Sequence, residues 1–157
     1  MDDAKHIYGV NSSEAHSFLK LYDAFLGDLI AYVDSHTNSD QSITLMVTGD
    51  HSQKQVDKAV YLNHILKDMG LCSYDREGNL LSWKAYFHSG DGMAYLYIKD
   101  KANEQNIIER VSERLYDHPG VARLINHHEM DMLGCGLEAS LALDGAMGYG
   151  FIDNYYL

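Results

Sequence analysis

Apolar residues recur along the first third of the chain at Phe18, Leu19, Tyr22, Phe25, Leu26, Leu29, Ile30 and Val33. This is the i, i+3, i+4, i+7 spacing that lines up side chains on one helix face. Asn11, Ser12 and Ser13 stand ahead of it as cap candidates, and Lys20, Asp23 and Asp28 take the polar side, so the pattern predicts an amphipathic helix over 13–35. After a polar loop at 36–41 the pattern changes. Ile43, Thr44, Leu45, Met46 and Val47 form an unbroken apolar or β-branched run, too short for a buried helix and the right length for a buried strand. The run stops at Gly49, and Asp50 and His51 follow at once. Helix, loop and strand together predict an αβ unit whose strand delivers Asp50 and His51 to its carboxyl end, where open α/β sheets present their ligand sites.

Downstream, residues 52–58 are polar and read as a loop beside that site. Asn63 can cap a short helix over 64–69 that stops at Gly70. Residues 71–74 and 80–87 flank the turn-forming run Asp75-Arg76-Glu77-Gly78-Asn79, which predicts a hairpin, and 94–98 is a further strand. Ile107, Ile108, Val111 and Leu115 predict a helix over 103–116, ended by Pro119 and Gly120; 121–125 and 137–143 read as strands. No repeat or low-complexity linker divides the chain, so 1–157 is expected to be one stretch of domain, with 71–100 a hairpin and following strand within it.

Composition narrows the function classes. The 157 residues are 46% hydrophobic and 22% charged, a balance that supports a packed core rather than disorder. The formal net charge is -11 with no Lys or Arg run, which argues against a nucleic-acid surface. An acidic chain that handles phosphorylated substrates needs bound cations to offset its own field. Cys72 and Cys135 lack CxxC spacing and are expected to be small apolar residues rather than thiolate ligands or a disulfide. No apolar stretch approaches the ~20 residues of a membrane helix, and no segment gives a compartment. The sequence opens on Asp2 and Asp3 and closes on Tyr155, Tyr156 and Leu157 without a polar tail, ends expected of a piece of a larger protein.

Candidate chemistry sits in two places. Asp50 and His51 offer a hard oxygen and an imidazole nitrogen, donors suited to zinc or a similar divalent ion; the plain alternative is an Asp that begins a turn beside an exposed His. Asp2 and His6, four residues apart before Tyr8 and Gly9, offer the same donors, against the alternative of an exposed terminus. His127, His128 and Glu129 are adjacent, and neighbouring side chains diverge on regular structure, so they are expected to be solvent-exposed.

Taken in order, these segments resemble the latter, C-terminal part of the type I phosphodiesterase/nucleotide pyrophosphatase family of the alkaline phosphatase superfamily. Asp2-Asp3-Ala4-Lys5-His6-Ile7-Tyr8-Gly9 is similar to the family's D-x-x-G-H-x-Y-G segment, and Thr48-Gly49-Asp50-His51 to its strand-borne T-[SG]-D-H. The helix after Leu62 and Asn63, the strand 94–98, Gly120-Val121-Ala122-Arg123 and Gly148-Tyr149-Gly150-Phe151 fit later landmarks. Lys5 departs from the family's Gly, and Ser52 from the Gly that often follows Asp-His.

The resemblance implies an α/β fold, a fragment of an alkaline-phosphatase-like sheet flanked by helices with a small hairpin insertion. It also implies two divalent ions, Zn2+ foremost with Mn2+ or Mg2+ as alternatives, one held by Asp2 and His6 and the other by Asp50 and His51. The parent is expected to be a metal-dependent phosphodiesterase or nucleotide pyrophosphatase acting on a small-molecule phosphate ester or nucleotide. Its Ser or Thr nucleophile, one further Asp and a last His match no residue here, so the isolated chain is expected to turn over little. Rival expectations are a phosphomonoesterase, phosphonate hydrolase or phosphoglycerol transferase of the same superfamily, or a non-catalytic interaction module.

Overall fold

A computed structural model describes residues 2–37, 42–135 and 138–153. The chain is mixed α/β, as the sequence predicts, and forms two compact units, Met1–Gln55 and Val56–Leu157.

The first unit is helical. Helix α1 spans Asp2–Tyr8, and Gly9 ends it at a φ of +94° that suits a residue without Cβ. Helix α2 spans Ser13–His36, within a residue of its predicted bounds. Ser12 caps it by accepting from the Ala15 N–H at 3.1 Å. The predicted stripe is helical but not buried: Phe25 is 66% exposed and Tyr22 54%. Only Leu26, Leu29 and Val33 of that stripe are half-buried, and Ala15 is the buried residue of α2.

The predicted strand at 43–47 is not formed. Residues 42–49 carry no regular structure, and Met46 and Val47 are 82% and 67% exposed. A strand needs a neighbour to take its backbone N–H and C=O groups, and the described part of Met1–Gln55 contains helices but no other strand. Residues 38–41 of the predicted loop lie outside the described residues.

The second unit is built on an antiparallel sheet. Strands β4 (Ala85–Gly90), β5 (Met93–Ile98), β6 (Val121–Ile125) and β7 (Leu141–Gly145) lie in the order β4-β5-β7-β6. Burial along β5 alternates, placing Ala94, Leu96 and Ile98 on one face and Met93, Tyr95 and Tyr97 on the other. Helix α4 (Glu104–Leu115) presents Ile107, Val111 and Leu115, one per turn, to the first face. Leu62 and Leu66 of α3 (Leu62–Asp68) join them against Phe87, Leu96 and Leu143. Each such side chain, fully buried, stabilises by roughly 1.5–3 kcal/mol. On the opposite face Met130 of α5 (His127–Leu133) packs with Ile125, Ala139 and Ala142.

Two short pairings flank this sheet. The predicted hairpin forms between β2 (Cys72–Tyr74) and β3 (Leu80–Trp83), but its second arm stops at Trp83. The Lys84 and Ala85 N–H groups both turn to the Leu71 carbonyl, at 2.7 and 3.3 Å, and the chain then enters the larger sheet as β4. Residues 56–58, expected to be loop, begin β1 (Val56–Val60), which pairs in parallel with β8 (Gly148–Phe151). The contact is close: a Cβ on Gly150 would meet Val56 Cγ1 at 3.0 Å. Cys72 is buried, as expected, while Cys135 is only half-buried; both are free thiols.

Candidate metal-ligating pairs

All four sequence-predicted ligands lie in Met1–Gln55, and the structure arranges them as two pairs. On α1, Asp2 and His6 stand one turn apart, with Asp2 Oδ2 3.6 Å from His6 Nε2. After the irregular run, Asp50 Oδ2 lies 3.5 Å from His51 Nε2. Among the described residues no three His, Cys, Asp or Glu side chains converge on one point.

Both pairs share a local design. Asp50 Oδ1 accepts the His51 N–H at 2.9 Å, which leaves Oδ2 to face the imidazole. That backbone bond, helped by the nearby imidazole, holds the Asp50 carboxyl below the usual carboxylate range and so keeps it anionic. His51 Nδ1 lies 3.3 Å from the Ser52 carbonyl, so with its proton there the ring offers an Nε2 lone pair. At the other pair, Asp2 Oδ1 accepts from the Gln53 side-chain amide at 2.5 Å, and again Oδ2 faces the imidazole.

The spacings are longer than a hydrogen bond and lie within ion-pair range. Tetrahedral zinc with bonds of about 2.0–2.1 Å sets neighbouring donors about 3.3–3.4 Å apart. The separations of 3.6 and 3.5 Å fall near that edge and beyond the N–H···O range. The pair His88 and Asp153 gives the contrast. There Nδ1 and Oδ2 are 2.8 Å apart, and Asp153 Oδ1 accepts the Ser89 N–H at 2.6 Å, so both carboxylate oxygens are committed. At 2.8 Å the two atoms share a hydrogen bond.

Sequence reasoning missed three features. His88 and Asp153 meet only through the fold, so no local spacing announces them. Gln53 looked like loop polarity, and nothing in its neighbourhood ties it to Asp2. The third is a cleft of about 900 Å3 in the second unit, lined by Trp83, Tyr97, Lys101, Glu104, His127 and Glu138 among others. Within it Lys101 and Ser140 both donate to Glu104 and hold its carboxyl below the usual range. His127 and His128 are exposed, as expected, whereas Glu129 is half-buried, where it makes the helix's capping box with Asn126.

The chain is mixed α/β, with one carboxylate–imidazole pair before its long helix and one after it. The chain matches the type I phosphodiesterase / nucleotide pyrophosphatase family over residues 1–133 and belongs to it. The family is one of phosphodiesterase- and pyrophosphatase-type hydrolases. No curated protein and no solved structure matches the chain.

Proposed function

We propose that this chain carries part of a two-metal site for hydrolysing phosphodiester or nucleotide pyrophosphate bonds. Asp2 and His6 hold one divalent ion, Asp50 and His51 the other, and Zn2+ is the first choice. The observation that supports this most directly is the repeated pair geometry inside the family match: one carboxylate oxygen occupied by a donor, the other near an imidazole Nε2.

Two such ions, when bound, supply Lewis-acid charge to phosphoryl oxygens and lower the pKa of an attacking hydroxyl. The protein's own contribution is to orient the four side chains. Asp50 is anionic through the His51 N–H, and His51 is turned by the Ser52 carbonyl. The family resemblance gives no Ser or Thr of this chain the nucleophile's role, so its four residues are assigned to holding the ions of a phosphodiesterase-type hydrolase. Its substrate is a small phosphate ester or a nucleotide.

Calorimetric titration of the metal-free chain with Zn2+ tests the reading. Two sites per chain are expected, with Asp2→Asn or His6→Ala removing one and Asp50→Asn or His51→Ala removing the other. Equal zinc uptake by all four variants would refute the assignment. A stable complex with another protein and no uptake of Zn2+ or Mn2+ would favour an interaction module instead.

A further inference from the structure

Asp2 and Gln53 are distant in sequence, yet the Gln53 side-chain amide donates to Asp2 Oδ1 at 2.5 Å. Gln53 is also the residue of the 50–55 stretch that is not fully exposed. The contact therefore ties the start of α1 to the residues just past Asp50 and His51. Its chemical effect is specific. A carboxylate has two oxygens that can both bind one ion or act singly, and a donor fixed on one of them leaves the other as the ligand. Here Gln53 takes Oδ1, and Oδ2 is left 3.6 Å from His6 Nε2. At the other pair a backbone group does the same work, the His51 N–H holding Asp50 Oδ1. Asp2 sits on the first turn of a short helix, and there a side chain from far along the sequence supplies the donor.

We propose that Gln53 is a positioning residue for the Asp2–His6 ion: by holding Asp2 Oδ1 it makes Asp2 a single-oxygen ligand through Oδ2 and couples that ion's ligands to the Asp50–His51 segment. The inference rests on the metal-site reading above. It adds a residue that neither Asp-His motif contains. Outer partners of this kind typically contribute about 10–100-fold in metal affinity.

The test uses the full 157-residue chain, titrated with Zn2+ by calorimetry and with Co2+ by visible absorption. Gln53→Met keeps the side chain's length but removes its N–H donors. It is expected to weaken the Asp2–His6 site about tenfold or more and to lower the Co2+ molar absorbance there, because Oδ1 is freed to bind and the coordination number rises. Gln53→Arg, which restores a planar N–H donor, is expected to return the wild-type Co2+ band shape. Circular dichroism of both variants should show unchanged helix content, separating positioning from folding. If Gln53→Met binds Zn2+ as wild type with an unaltered Co2+ spectrum, Gln53 does not position Asp2, and the ligand reading stands. If Gln53→Arg alters the spectrum as Gln53→Met does, donation is not its role. If Asp2→Asn leaves zinc uptake intact, the ligand assignment itself fails, and the role of Gln53 with it.

Discussion

Asn63 shows how much one polar residue can hold in an apolar core. It is 2% exposed, its amide donates to the Phe87 carbonyl at 2.9 Å, and its Oδ1 accepts the Phe87 N–H at 2.8 Å. It thus satisfies both backbone groups of a buried β4 residue from α3. Asn63→Leu leaves those two groups unpaired, at about 1–3 kcal/mol each. Urea unfolding followed by Trp83 fluorescence should therefore show a loss of about 2–5 kcal/mol, and a loss under about 1 kcal/mol would mean the bonds carry little. Glu104 makes a pH-dependent contribution. Its folded pKa lies below the unfolded one, first through Lys101 and then through Ser140, so its contribution is present above the unfolded value and disappears as pH falls through the folded one. The stability gap between wild type and Ser140→Ala should be widest near neutral pH and should narrow in acid. A gap independent of pH would show that Ser140 acts through packing alone.

Among the elements, α5 and the run at 43–47 make opposite points about local signals. Helix α5 was invisible to periodicity, yet its N-terminus is well specified: Asn126 Oδ1 accepts the Glu129 N–H at 3.0 Å, and Glu129 Oε2 accepts the Asn126 N–H at 3.1 Å. Asn126→Ala should cost about 1 kcal/mol and loosen the cover that Met130 gives the sheet. Protection of the α5 amides from hydrogen exchange measures it, and unchanged protection would refute it. The run at 43–47 had the stronger apolar signal and forms no strand. Hydrophobic composition says that a segment gains from burial, not which surface will bury it. Helix α2 teaches the same lesson: its 3.6-residue period set its bounds nearly to the residue, while Phe18, Leu19, Tyr22 and Phe25 stay exposed.

At the scale of the molecule, the buried apolar side chains divide unevenly. In Met1–Gln55 the buried residues among those described are Ala4 and Ala15, whereas Val56–Leu157 buries Phe87, Leu96, Leu143, Val111 and others. The first unit therefore has little apolar burial to offset the entropy of ordering α2, a 24-residue helix. Two probes can follow the units separately, because the single tryptophan, Trp83, lies in the second and α2 is the longest helix and lies in the first. Helical circular dichroism should lose part of its amplitude at lower urea than Trp83 fluorescence. Coincident curves would mean that the chain unfolds as one cooperative body. For the proposed site, ordering of the first unit then becomes part of the zinc affinity, since binding must also hold α1 and the 50–53 segment in place.

What the sequence alone determined is what repeats or adjoins over a few residues. It set the bounds of α2 and α4, the hairpin turn at 75–79, the end of α4 before Pro119 and Gly120, the mixed α/β class, the family, and the two Asp–His pairs, which are neighbours along the chain. Only the tertiary structure decided which strands found partners. It paired β1 with β8, split the hairpin's second arm at Lys84, left 43–47 without a strand, and brought Gln53 to Asp2 and His88 to Asp153. The reason is physical: helix periods and turns are satisfied by hydrogen bonds within the segment, while a strand or a bridging side chain needs a partner that only the folded chain supplies.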